Sequence, residues 1–224
     1  MARHLQQDLE QSYHRLLALS GRVEEMIVAA VRSLLERRRE LAQQVIDGDS
    51  EIDKSEVCIE EECLKMLALH QPVATDLRRI TTMMKINNDL ERMADLACNV
   101  AERACDLTEV ADFPIPPLIG QMVQETTTMV RDGLNAFVNL DVNLAYQVIG
   151  RDDVVDALNV EVIDQLTELM QEHVEWIEPA LHCFSAARNL ERIADHATNV
   201  AEDVVYLVSG EIVRHRHLPP ENPS

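Results

Sequence analysis

The 224 residues suit one compact domain or two of about 100 residues each, and 46% hydrophobic against only 3% aromatic side chains, with six glycines, disfavours a turn-rich β fold. The formal net charge of −20, from 40 acidic and 20 basic residues, repels nucleic acid and anionic membranes and attracts cations. Five cysteines without CxxC or zinc-finger spacing read as reduced thiols of a cytoplasmic protein. Charges interrupt every apolar run before the ~18 residues that a membrane span needs, so contact with a membrane would come only through partners.

In chain order, apolar residues recur at helical spacing from Leu5 to Ile46, through Leu16, Val23, Ile27 and Leu34. Asp47-Gly48-Asp49-Ser50 predicts the stop of that helix, with Gly48 past its end and Asp49 or Ser50 capping the next. The second helix spans about Glu51 to Leu69 and ends at His70-Gln71-Pro72, because the residue before proline avoids the α region. Thr75 or Asp76 caps a third helix that reaches about Leu107. Three prolines in 112–117 mark a linker. A fourth helix then runs from about Leu118 to Ile149, Gly150 to Asp153 form a turn, and a fifth covers about Val154 to Val174. Pro179 fits the first turn of a sixth helix, which continues to about Val208 and stops at Gly210.

The chain repeats itself. Glu91-Arg92-Met93-Ala94-Asp95-Leu96-Ala97-Cys98-Asn99-Val100-Ala101-Glu102 returns one hundred positions later, beginning at Glu191 and ending at Glu202. Upstream, with an offset of 103, Ala42 to Ile46 matches Ala145 to Ile149, Asp49 matches Asp152 and Asp53 matches Asp156. This is a duplicated three-helix unit. The predicted fold is all-α, with two tandem three-helix bundles at 1–111 and 118–210, a linker at 112–117 and a loosely ordered tail at 211–224.

At ~100° per residue, Glu91, Asp95, Asn99 and Glu102 share one edge of their helix, and Glu191, Asp195, Asn199 and Glu202 repeat that edge. Like charges at i,i+4 cost a few tenths of a kcal/mol, so a merely solvated face gains nothing from keeping them in both copies. Asp49 and Asp53, with their counterparts Asp152 and Asp156, fall at predicted helix starts, where acids also serve as caps. At ~1.5 Å per residue, Asp53 and Glu91 both lie about 24 Å from the turn joining their antiparallel helices, so the two acidic pairs face each other. Four converging carboxylates need a cation, and all-oxygen ligands favour Mg, Mn, Ca or Fe ions. Cys98 falls on the apolar side, which argues against thiol ligation. No histidine follows a glutamate by three positions, as helical di-iron enzymes require, and no nucleotide-binding or hydrolase motif is present. Arg37-Arg38-Arg39 and Arg78 are basic patches, read either as solvated faces or as a docking surface for an acidic partner.

The duplicated ERMADLACNVAE and ERIADHATNVAE, each preceded by Asp-xxx-Asp, resemble the paired motifs of the PhoU family over about Leu5 to Gly210. The resemblance implies a cytoplasmic, homodimeric, non-enzymatic accessory protein of the phosphate ABC transporter that also restrains a sensor histidine kinase. It further implies metal sites at Asp49, Asp53, Glu91 and Asp95 and at Asp152, Asp156, Glu191 and Asp195, holding Mg, Mn, Fe or Zn ions. Asn99, Glu102, Asn199 and Glu202 extend the same faces as secondary candidates. The alternatives are a metal-dependent phosphohydrolase or oxidase using the same acids, and a purely structural bundle.

Overall fold

A computed structural model describes residues 2–213, and every regular element in them is helical. The tail expected to be loosely ordered lies, from Arg214 onward, outside the described residues. The helices are α1 (Ala2–Glu36), α2 (Arg39–His70), α3 (Ala74–Thr108), α4 (Pro117–Asn139), α5 (Val142–Ile149), α6 (Asp152–Glu172) and α7 (Ile177–Ser209), with a short 3₁₀ turn at Val174–Trp176. Pro117 opens α4 where its missing N–H costs nothing, and Gly210 ends α7 with φ 79°.

The first reversal of the chain is not where the glycine pointed. α1 ends at Glu36, and Asp47 to Ser50 are helical throughout, inside α2. Nothing stands within 4 Å of a Cβ built on Gly48, so this glycine is an ordinary helix-interior residue rather than a stop. The chain turns instead at Arg37, with φ 53°, where the Arg38 amide reaches back to the Ser33 carbonyl at 3.0 Å. The second unit does the same at the equivalent position. Leu140 has φ 52°, the Asp141 amide reaches the Ala136 carbonyl at 2.9 Å, and the expected Leu118–Ile149 helix is divided there. This is the Schellman pattern, satisfying carbonyls at the end of a helix. Asp141 then caps α5 by accepting from the amides of Asn143 and Leu144. The expected turn at Gly150 is present as a short interruption between α5 and α6, which together take the place of α2. α3 begins at Ala74 without a side-chain cap, so neither Thr75 nor Asp76 performs that role.

Each unit is a three-helix bundle, α1–α2–α3 and α4–α5/α6–α7, and the two join chiefly through α3 against α7, with α1 touching α4. α3 and α7 cross the seam antiparallel: Lys85 meets Asp203, Asp89 meets His196, and Arg103 meets His182. Small residues make this closeness possible. Ala94, Ala97, Ala101 and Ala104 on α3, and Ala194, Ala197 and Ala201 on α7, are all buried. Gly133 on α4 leaves room for the Ala197 carbonyl, which a Cβ there would meet at 3.3 Å. Leu, Ile, Val and Met fill much of the remaining core, and among the described residues Phe113 and Phe137 are the fully buried aromatics.

Candidate metal centre

The two acidic clusters are set by helix periodicity and by the antiparallel packing of α2 on α3 and of α6 on α7. In the first unit, Asp49 and Asp53 lie well inside α2 rather than at its start, so capping does not account for them. Burial pushes the Asp49 carboxyl above its usual range, and the charges of Asp53 and Asp95 add to this. Burial likewise raises Glu91, helped by Asp95, Glu56 and Asp53. The two acidic pairs therefore face each other across the helix pair. Glu56 joins them from α2, one turn beyond Asp53, and is itself raised by burial and by Glu60 and Asp53.

The second unit repeats the arrangement. Burial raises Asp152, with Asp156, Asp153 and Glu191 reinforcing it. Asp195 keeps one edge open to water, yet desolvation on its packed side, together with the charges of Glu191, Asp152 and Asp156, pushes its carboxyl up to about 6. Here Asp152 does occupy the first turn of α6, so the helix dipole also favours it.

Each cluster has an arginine at its edge. Arg92 lies 3.4 Å from Glu91 and 3.5 Å from Asp95, and Arg188 donates to Glu191 at 2.9 Å. Both arginines are exposed. Each cluster also keeps a buried carboxylate oxygen that accepts no hydrogen bond: Oδ1 of Asp49 in the first and Oε2 of Glu191 in the second. An orphaned, desolvated acceptor costs about 1–3 kcal/mol, and a hard cation would satisfy it. As the side chains stand, no group of three or more His, Cys, Asp or Glu among the described residues is arranged to hold an ion. Binding therefore requires side-chain rotation. Asp53, Asp156 and Asp195, all exposed, have room for it.

By spacing alone, Cys98 falls on the apolar side of its helix. The structure brings the half-buried Cys98 to Asp49 and to the Val45 carbonyl, and the acids together with burial raise its thiol pKa. Its counterpart Thr198 donates to Asp152 at 3.2 Å. A hydrogen-bonding residue at this position thus accompanies the equivalent acid in both units. The repeat alignment gave the signal, but the side-chain direction was not readable from it.

The secondary candidates divide. Asn99 and Glu102 are exposed beyond the first cluster, and Glu102 accepts from Arg103. Asn199 turns to the seam and donates to Asp89 at 3.4 Å, while Glu202 lies beside Lys85 and Tyr206. Sequence reasoning missed this seam. Asp89 and Asp203 are buried, and they meet His196 at 2.8 Å and Lys85 at 3.0 Å.

Two arginines considered for docking have internal work. Arg37 donates to the carbonyls of Leu107, Val110 and Phe113, closing the end of α3 and the start of the linker. Arg78 lies over the Tyr206 ring at 5.6 Å and fills the space beside Gly210. Arg38 and Arg39 are exposed, beside Glu36 and Glu109 respectively.

Two tandem three-helix bundles, each carrying a facing set of four carboxylates, define an all-α repeat protein with a duplicated acidic surface site. The chain belongs to the PhoU family: the model described as PhoU domain matches twice, at residues 16–104 and 119–204. Among its relatives is the phosphate-specific transport system accessory protein PhoU homolog of Aquifex aeolicus, 43% identical, covering 94% of this chain and 96% of the relative. The homolog of Pseudomonas putida is 40% identical over 94% and 83%. The crystal structure of PhoU from Pseudomonas aeruginosa superposes with a TM-score of 0.88 at 38% identity, over 92% of this chain and 99% of that one. The phosphate transport system regulatory protein PhoU from Streptococcus pneumoniae gives 0.86 at 28% identity, over 93% and 99%.

Proposed function

We propose that this chain is a metal-binding regulator of phosphate uptake and of phosphate-starvation signalling. It works in the cytoplasm, as a homodimer, as an adaptor between the ATPase of the phosphate ABC transporter and the sensor histidine kinase, and it restrains the phosphate regulon. Membership of the PhoU family and the names of its relatives, accessory and regulatory proteins of phosphate transport, support the regulatory part. No helix among the described residues is long and apolar enough to cross a membrane.

The observation that carries the metal reading is the facing of DxxxD and ExxxD pairs in both units, each with a buried oxygen lacking a partner. Asp49, Asp53, Glu91 and Asp95 would hold one ion or cluster, and Asp152, Asp156, Glu191 and Asp195 the other. A bound hard cation supplies positive charge that neutralises the cluster and cross-links two helices. The chain's own part is to hold the acids close together, several of them half-buried, so that ion occupancy changes the surface charge offered to a partner. On this reading the eight acids act as ligands for the ion.

A second reading draws on Arg92 and Arg188, which already neutralise part of each cluster. On that reading the acids are ion-paired structure and no metal is needed. Co-purification tests the adaptor role: the transporter ATPase and the kinase should be retained by the wild-type protein, with Asp53→Ala/Glu91→Ala weakening retention. Retention of neither partner would refute the adaptor reading. Turnover of a phosphate ester lost in Glu91→Gln would replace it with an enzyme.

A further inference from the structure

A cavity of about 560 Å³ opens where the two units meet, and a smaller cleft of about 150 Å³ lies at the seam. Its walls come from both units, with Leu9 of α1 and Met83 of α3 facing Phe137 of α4. Ligand pockets for small molecules typically enclose about 300–1,000 Å³ and are mostly apolar with a few polar groups. At its mouth Val138 and Val208 remain 44% and 47% exposed, apolar surface that folding alone leaves uncovered.

The polar groups at the mouth are unequal. Glu10 accepts a hydrogen bond from Gln6 at 3.1 Å. Arg79 is exposed and, among the described residues, makes no ion pair or hydrogen bond. A free guanidinium beside an apolar cavity stands out on a chain of net charge −20. We propose that this cavity binds a single-chain amphiphile with one carboxylate head, a medium-chain fatty acid, its chain lying between the two units and its carboxylate on Arg79. Size favours one chain over a phospholipid. A methylene fills about the space of a water, roughly 30 Å³, so a chain of about 12 carbons occupies roughly 360 Å³, whereas two longer chains exceed the cavity. Such a ligand touches both units at once and tightens their contact.

Displacement of dansyl-labelled undecanoate by laurate tests this on the full chain. The wild-type protein binds the probe saturably at one site, and laurate displaces it. Arg79→Gln weakens laurate about fivefold, the upper end for an exposed ion pair, and leaves dodecanol unaffected. Val208→Trp closes the mouth and abolishes displacement while circular dichroism and melting stay unchanged. Should that variant misfold, Val138→Trp, on α4 rather than α7, blocks the same mouth. Chelators have no effect, because none of the eight acids lines the cavity. Three results would overturn the proposal: no saturable displacement, laurate binding indifferent to Arg79→Gln, or a signal that appears only with anionic phospholipid vesicles.

Discussion

At the scale of single residues, the acids of the two clusters pull against the fold. Burial and mutual repulsion raise Asp49, Glu91 and Asp152, and bring Asp195 to about 6. A carboxyl whose folded pKa exceeds its unfolded value binds more protons in the folded state, so stability falls as pH rises through that window. Metal-free protein should therefore melt at a higher temperature at pH 5 than at pH 7.5, with Asp195→Asn flattening the difference in a calorimetric series. Divalent ions should raise the melting temperature at pH 7.5 and lose this effect near pH 5. Arg37 works in the opposite sense, supporting the fold by donating to three carbonyls at the end of α3. Arg37→Ala should cost about 2 kcal/mol in urea unfolding, since it leaves those acceptors without their charged donor.

At the scale of elements, the six-helix repeat plan and the antiparallel facing of the acidic pairs were legible in the sequence, but the first reversal was misplaced. Gly48 and its acidic neighbours are local turn signals, overridden because Ala42, Val45 and Ile52 on either side bury one continuous α2 face. The true turns use Arg37 and Leu140, residues with no preference for positive φ, and only the matched offset of 103 between them betrays a shared device. Long-range bonding holds the first: the reach of Arg37 to α3 is invisible in local sequence. Two of the glycines inside helices give a direct check. Gly48→Ala should stabilise by about 0.5–1 kcal/mol through helix propensity, as its Cβ meets nothing. Gly133→Ala should destabilise, because its Cβ presses on the Ala197 carbonyl at 3.3 Å. Chemical denaturation of both variants measures the opposite signs.

At the scale of the whole molecule, the two units are bound by more than a linker. α3 and α7 share a seam of buried alanines, with the Lys85–Asp203 and Asp89–His196 pairs crossing it. The sequence showed two units but not this seam, because Asp89 and Asp203 fall outside the aligned acids and their partners Lys85 and His196 align with Ser185 and Leu96, which carry no charge. Thermal unfolding should be one cooperative transition with matching calorimetric and van't Hoff enthalpies; two resolved transitions would show independent bundles. The same duplication predicts two cation sites of similar make. The most direct test is metal analysis by equilibrium dialysis of untagged protein against divalent ions. The wild type should retain ions, Asp53→Ala/Glu91→Ala should lose those of the first unit and keep those of the second, and adding Asp156→Ala/Glu191→Ala should remove the rest. Equal retention by the wild type and the fourfold variant would contradict the duplicated metal site.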